Sequence, residues 1–179
     1  KQAFGFDNTE TVLLPLHALL GYIGAEQWHQ HGVSIAALDD GNIHVPFGVF
    51  SPLRGEYLDL LSNTTLPHTC QTAWDIGTGS GVLAAILAKR GIGHITATDT
   101  NPVAIATAAA NFARSGVAEQ ITLSEQDLFP EGCADLIVCN PPWLPAKPSS
   151  LIETALYDPN SQMLRAFLSG VAKHLNEQG

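Results

Sequence analysis

The chain has 179 residues with a formal charge of −9, and 45% of its residues are hydrophobic against 14% charged. That length supports one domain with a small appendage and excludes two independent cores. Lys+Arg number 8 against Asp+Glu 17, spread over both halves, so no basic stripe is available for a nucleic-acid backbone; the high apolar content excludes disorder. Cys70, Cys133 and Cys139 are odd in number and lie in or beside apolar runs, a usage that reads as reduced, buried thiols rather than a disulfide framework or a metal site.

The longest apolar stretch, Val12 to Ile23, is interrupted by Pro15, His17 and Gly21 and falls short of the about 20 residues of a membrane span. Asp7 and Glu10 stand where a signal peptide carries positive charge. The expectation is a cytoplasmic protein.

Residues 9–31 predict a helix, with Pro15 tolerable only in its first turn. Val33 to Leu38, the turn Asp39-Asp40-Gly41-Asn42, and Ile43 to Val45 predict a hairpin. A stiff aromatic loop over 46–52 leads into a short helix, Leu53 to Leu61, and Ser62 to Thr69 is the linker candidate. The expected division is a helix and hairpin region over 1–62, a substrate or lid element, followed by a second region over 70–179. In that second region a βαβαβ pattern begins. Strands are expected at Thr72 to Ile76, His94 to Thr98, Ile121 to Leu123 and Asp135 to Cys139. Helices fall at Val82 to Lys89, at Pro102 to Ser115 with Gly116 as its stop, and at Gln162 to Leu175. The fold class is α/β, a Rossmann-like doubly wound, mostly parallel sheet with right-handed crossovers. Asp135 to Cys139 is the most apolar strand, and such strands are normally central; further strands are therefore expected after Gly179.

Four features carry chemistry. The first is Asp75-Ile76-Gly77-Thr78-Gly79-Ser80-Gly81 between a strand and a helix, where glycines permit a tight turn and close approach of a ligand to backbone. A dinucleotide fingerprint would need a glycine at position 82, which is Val82. Asp75 adds a carboxylate, which suits the ammonium and sulfonium of S-adenosylmethionine better than a pyrophosphate. The second is Asp99, followed by Thr100, at the end of the next strand, where a carboxylate can accept both hydroxyls of a ribose. The third is Asp127-Leu128-Phe129, where a carboxylate and a backbone N–H can meet an adenine edge; Asp before a turn is otherwise a cap. The fourth is Asn140-Pro141-Pro142-Trp143, directly after the apolar strand and so at the carboxyl end of the sheet, where such folds bind ligands. Its prolines fix the chain and leave the Asn140 side-chain oxygen and the Pro141 carbonyl as converging acceptors for an NH2 group, with Trp143 offering a stacking face. His29, His31, His44, His68 and His94 lack metal-ligand spacing, and Arg54 and Glu56 read either as guards of a substrate entrance or as a surface pair.

This combination resembles the class I S-adenosylmethionine-dependent methyltransferases, and within them the group around the release-factor protein glutamine N5-methyltransferases. The likeness covers about residues 46 to 179 and takes in the 45–57 segment, which borders the cofactor in that group; Trp143 stands where the motif usually has Tyr. The resemblance implies a seven-stranded sheet and an N-methyltransferase with S-adenosyl-L-methionine held by Asp75, Gly77, Thr78, Gly79, Gly81, Asp99, Thr100, Asp127, Leu128 and Asn140. It implies an acceptor nitrogen held at Asn140, Pro141 and Trp143; no metal is expected, from the spacing of the histidines and cysteines. Three functions remain open: methylation of a protein glutamine, methylation of an exocyclic base amine in rRNA, tRNA or DNA, and a nucleotide-binding subunit without turnover. The acidic charge ranks a protein or small-molecule amine above nucleic acid.

Overall fold

The computed structural model describes residues 16–39, 41–146, 156–177 and 179. Helix α1 (Leu16–Gln30) leads to strand β1 (Val33–Ile35), which pairs antiparallel with β2 (Gly41–Ile43). Strand β1 stops three residues before the predicted end, and β2 has the predicted length but starts two residues earlier, at Gly41. The chain between them makes a one-turn 3-10 helix, Ala36–Leu38, that buries Leu38 and ends on Asp39 in the left-handed region at φ 57°. The start of the predicted first helix, including Pro15, lies outside the described residues. Helix α2 (Glu56–Asn63) begins after Gly55, three residues later than expected.

The main sheet contains β3 (Thr72–Ile76), β4 (His94–Asp99), β5 (Ile121–Glu125) and β6 (Leu136–Cys139) in the order β5-β4-β3-β6, all parallel. Pairing of Ile76 with Thr98 and with Cys139, and of Asp99 with Glu125, brings all four carboxyl ends to one level. That shared edge is where the loops carrying the four motifs meet.

Helices α3 (Val82–Lys89) and α4 (Pro102–Ser115) cover one face. Every residue of α3 from Val82 to Ala88 is buried, because a helix apolar all round has to be enclosed: the sheet lies on one side and the hairpin and α2 on the other, with Leu38, Ile43, Val45 and Leu58 in the same core. Asn101 caps α4 by accepting from the Val103 N–H at 2.9 Å, Pro102 opens it and Gly116 at φ 68° ends it, as the sequence predicts.

The other face carries a smaller cluster, in which Trp74, Ile76 and Ala134 meet Phe129 and Phe167. Helix α5 (Gln162–Gly170) covers it and ends earlier than predicted. At Gly170 a Cβ would stand 2.5 Å from the Phe129 ring, so the helix crosses at a contact only glycine permits. The chain continues as a 3-10 turn, Val171–Lys173, and places the His174 ring against Trp74 and Phe129. Strand β6 is half-buried along its length and lies at the sheet's edge among the described residues, the place the order of the four strands gives it unless further strands pair with it. Among the described strands only β3 pairs with it. Its amino end is secured by Asp135, whose carboxylate accepts from the Gln71 and Thr72 N–H groups, the Thr72 hydroxyl and Asn176; these bonds hold its pKa below the usual carboxylate range. All three cysteines are free, but only Cys70 is buried; Cys139 is half-buried and Cys133 exposed. The expectation of three buried thiols fails at Cys133, which lies in the exposed turn Gly132-Cys133 ahead of β6.

Candidate functional site

A cavity of about 350 Å³ opens above the carboxyl ends of the strands, within the size range of small-ligand sites. The glycine loop after β3 forms its floor. Gly77 and Gly79 adopt φ of 72° and 55°, and a Cβ on either would meet nothing closer than 3.8 Å. Side chains there would instead project into space that a ligand needs. Gly81 is different. It faces away from the cavity at φ 84°, and a Cβ would lie 2.6 Å from the Phe112 ring of α4, so its part is close packing of loop against helix.

Asp75 also lies behind the cavity wall. It is fully buried, and its Oδ2 accepts from the Thr78 hydroxyl at 2.7 Å and the Ala84 N–H at 3.1 Å. Oδ1 is buried and has no hydrogen-bond partner among the described residues. Burial pushes its pKa up to about 6, against the opposing pull of the Thr78 and Ala84 bonds. Asp75 therefore holds the loop and the start of α3 together beneath the cavity, rather than offering an exposed carboxylate on its surface as the sequence suggested.

Asp99 lies on the wall. Its Oδ2 accepts from the Gly79 N–H and its Oδ1 from the Asn101 N–H, each at 2.9 Å. Each oxygen keeps a further lone pair, so the carboxylate is held in place with spare acceptor capacity for a pair of hydroxyls. Thr100, Asp127 and Leu128 continue the wall. The Leu128 backbone is held at φ 51°, a conformation a branched residue adopts only under tertiary constraint, and its carbonyl accepts from the Thr98 hydroxyl at 2.9 Å. Thr78 lines the cavity, and its N–H donates to the Thr98 carbonyl at 2.8 Å.

Asn140, Pro141 and Trp143 form the opposite rim. Asn140 is exposed and Trp143 has 64% of its surface open, so acceptor groups and an aromatic face are presented to solvent at the mouth. The four sequence motifs thus share one cavity, with Asp75 and Gly81 supporting it from behind.

Phe50 and Tyr57, from the 45–57 segment that the resemblance places beside the cofactor, line the cavity, and Gln126, Tyr157, Asp158 and Met163 join them from later segments that carry no sequence motif. Burial and the nearby Asp75 charge push the Tyr57 hydroxyl up to about 12, so it stays a neutral donor. Asp158 was readable as a cap, since its two carboxylate oxygens accept from the Met163 and Leu164 N–H groups at the start of α5. Asn111 gave no signal within an alanine-rich helix. It is fully buried; its amide donates to the Ser80 and His44 carbonyls, and its oxygen accepts from the His44 N–H. Glycine loop and hairpin are thereby joined to α4. Arg54 and Glu56 are exposed and unpaired with each other. Among the described residues no group of three or more His, Cys, Asp or Glu is placed to hold a metal.

A parallel sheet whose switch point carries a glycine loop, a tethered carboxylate after the second strand and an Asn-Pro-Pro rim after the fourth defines a class I S-adenosylmethionine-dependent methyltransferase domain. The cavity fits that cofactor: it has a cradle free of Cβ atoms and a fixed carboxylate with unused lone pairs. More narrowly, residues 57–171 match the family of ribosomal protein L11 methyltransferase (PrmA), and the chain belongs to it. A ribosomal protein L11 methylase from Lactobacillus delbrueckii subsp. bulgaricus superposes with a TM-score of 0.59 at 27% identity, over 79% of this chain and 65% of that one. The release factor glutamine methyltransferase of Cereibacter sphaeroides is 35% identical over 134 residues, 66% of this chain and 48% of the relative. The ribosomal RNA small subunit methyltransferase C of Klebsiella pneumoniae is 32% identical over 147 residues, 79% of this chain and 39% of the relative. The chain thus spans less than half the length of these two curated relatives. Among the described residues no helix is long and apolar enough to cross a membrane.

Proposed function

We propose that this protein transfers a methyl group from S-adenosylmethionine to a planar amide nitrogen, with a protein glutamine side chain as acceptor. The observation that carries the reading is the rim Asn140-Pro141-Pro142-Trp143, exposed at the mouth of the cavity whose floor is the glycine loop. Asp99, Thr100, Asp127 and Leu128 hold the nucleoside end of the cofactor. The side-chain-free turn at Gly77 and Gly79 faces the end that bears the amino acid, and Asp75, Gly81 and Asn111 keep this floor rigid. When bound, S-adenosylmethionine supplies a methyl group on a sulfonium, whose C–S bonding pair returns to sulfur as the acceptor nitrogen takes the methyl.

The protein's contribution is orientation. Asn140 Oδ1 and the Pro141 carbonyl each accept an N–H of the acceptor NH2, turning its lone pair toward the methyl group, and the two prolines fix that geometry before the acceptor arrives. Trp143 stacks on the flat amide. The proton shed by the methylated nitrogen leaves through the solvent-exposed side of Asn140. The 46–57 segment, with Phe50 and Tyr57 on the wall, is the lid element of this arrangement.

A second reading, an exocyclic base amine in RNA, is favoured by the identity with the ribosomal RNA methyltransferase C over 79% of this chain; the −9 charge stands against it. The experiment is transfer of tritium from labelled cofactor to purified ribosomal protein L11, to a purified bacterial release factor and to small-subunit rRNA. Label on a release-factor glutamine is the expected result. Label on rRNA alone replaces this reading with the second, and label on a lysine of L11 replaces the amide with an alkyl amine.

A further inference from the structure

The acceptor rim is joined to a second segment thirteen residues further along the chain. The Trp143 and Leu144 N–H groups both donate to the Leu156 carbonyl, at 3.2 and 2.9 Å, and the Asp158 N–H returns to the Leu144 carbonyl at 2.8 Å. Together they form an isolated parallel bridge between Leu144 and Tyr157. On the far side, Asp158 is buried and both its carboxylate oxygens accept from the first turn of α5. Tyr157 is therefore held from both neighbours, and it lines the cavity together with Asn140 and Trp143. Its ring is half-buried, and among the described residues its hydroxyl has no hydrogen-bond partner.

We infer that Tyr157 is a specificity-determining residue of the acceptor site, its ring forming the wall beside Trp143 and its hydroxyl donating to the carbonyl oxygen of a side-chain carboxamide. The inference rests on the methyl-transfer reading above and narrows it. A primary carboxamide presents two N–H donors and one carbonyl acceptor. In the arrangement above the Asn140 Oδ1 and the Pro141 carbonyl both serve as acceptors, so the carbonyl oxygen of the bound carboxamide needs a donor from a further side chain. The Tyr157 hydroxyl, uncommitted among the described residues and on the same cavity wall, offers that donor. An alkyl ammonium has no acceptor atom for that hydroxyl and gains nothing from it, so Tyr157 favours an amide over a lysine side chain.

The test uses a purified release factor as acceptor and compares wild type with Tyr157→Phe, which keeps the ring and removes only the hydroxyl. The expected result is a rise in acceptor KM of roughly three- to tenfold, with kcat within twofold and the calorimetric Kd for S-adenosylhomocysteine unchanged. Tyr157→Ala is expected to raise the acceptor KM further, again with cofactor affinity unchanged. A Tyr157→Phe enzyme with wild-type acceptor KM overturns the inference, as does a parallel loss of cofactor affinity, which would make the residue merely structural. Absence of any label on the release factor, or label only on L11 or rRNA, also overturns it. Asn140→Ala, run alongside, separates the two failures: a fully active Asn140→Ala enzyme defeats the methyl-transfer reading itself, whereas an inactive Asn140→Ala with a neutral Tyr157→Phe defeats only this inference.

Discussion

The two walls of the cavity are built by opposite means. The cofactor wall grows from β3 and β4 in the middle of the sheet, and the polar groups that support it are tied to backbone: Asp75 to α3, Asp99 to Gly79 and Asn101, Thr98 to Leu128, Asn111 to Ser80. The acceptor wall grows from the edge strand β6, and its functional atoms are exposed. A rigid wall suits a cofactor whose shape never changes. An open rim suits an acceptor carried on another macromolecule, which has to bring its own surface to complete the site.

The contrast is testable by separating turnover from cofactor affinity. Asn140→Ala is expected to lower methyl transfer by about a hundredfold or more while S-adenosylhomocysteine affinity, read by calorimetry, stays within twofold; comparable losses in both would erase the distinction between the walls. Asp99→Ala is expected to do the reverse, weakening the same ligand roughly ten- to a hundredfold, because it removes the ribose acceptor and frees the Gly79 and Asn101 amides together. A finer cut lies within the glycine loop. Gly81→Ala forces a methyl into the Phe112 ring at an unfavourable φ and is expected to cost about 2–4 kcal/mol, seen as a lowered melting temperature. Gly79→Ala has room in the protein, so about 1–2 kcal/mol from backbone strain alone is expected, with the greater loss falling on cofactor affinity.

The smallest effect concerns acid. Asp75 has its folded-state pKa raised to about 6, so the folded protein binds more protons than the unfolded chain between roughly pH 4 and 6. Its contribution therefore increases stability as pH falls through that window and lowers it toward neutrality. Asp135, whose pKa is depressed, contributes in the opposite sense, and only below about pH 4. In urea titrations at several pH values, Asp75→Asn is expected to remove the pH 4 to 6 component; an unchanged slope would mean that the buried carboxylate does not titrate there.

The sequence made the cofactor wall largely legible because glycines, caps and strand-end carboxylates act locally. The turn at Gly77 to Gly81, the start of α4 at Asn101-Pro102 and its stop at Gly116 all follow from backbone chemistry within a few residues. What stayed hidden acts over long separations. Asn111 reaches His44 and Ser80 from the middle of an unremarkable helix, Tyr157 meets the cavity through its bridge to Leu144, and Met163 does so because α5 folds back over β3. Asp75 was given a ligand-facing part because its position at a strand end was readable, while the direction of its side chain, toward the buried Thr78 and Ala84, was not. The first strand of the hairpin reads too long in the sequence because alternation of residues cannot foresee that Leu38 turns inward and Asp39 goes left-handed.

The single bridge between Leu144 and Tyr157 has a kinetic corollary. Regions held by few backbone bonds open with little free energy, while central strands exchange their amide hydrogens only on global unfolding. The amides of Trp143, Leu144 and Asp158, which depend on that one bridge, are expected to exchange with deuterium far sooner than those of β3 and β4. The acceptor rim can then breathe on its own while the nucleoside pocket stays closed to exchange, so that one half of the molecule keeps its memory of the fold as the other admits and releases its guest.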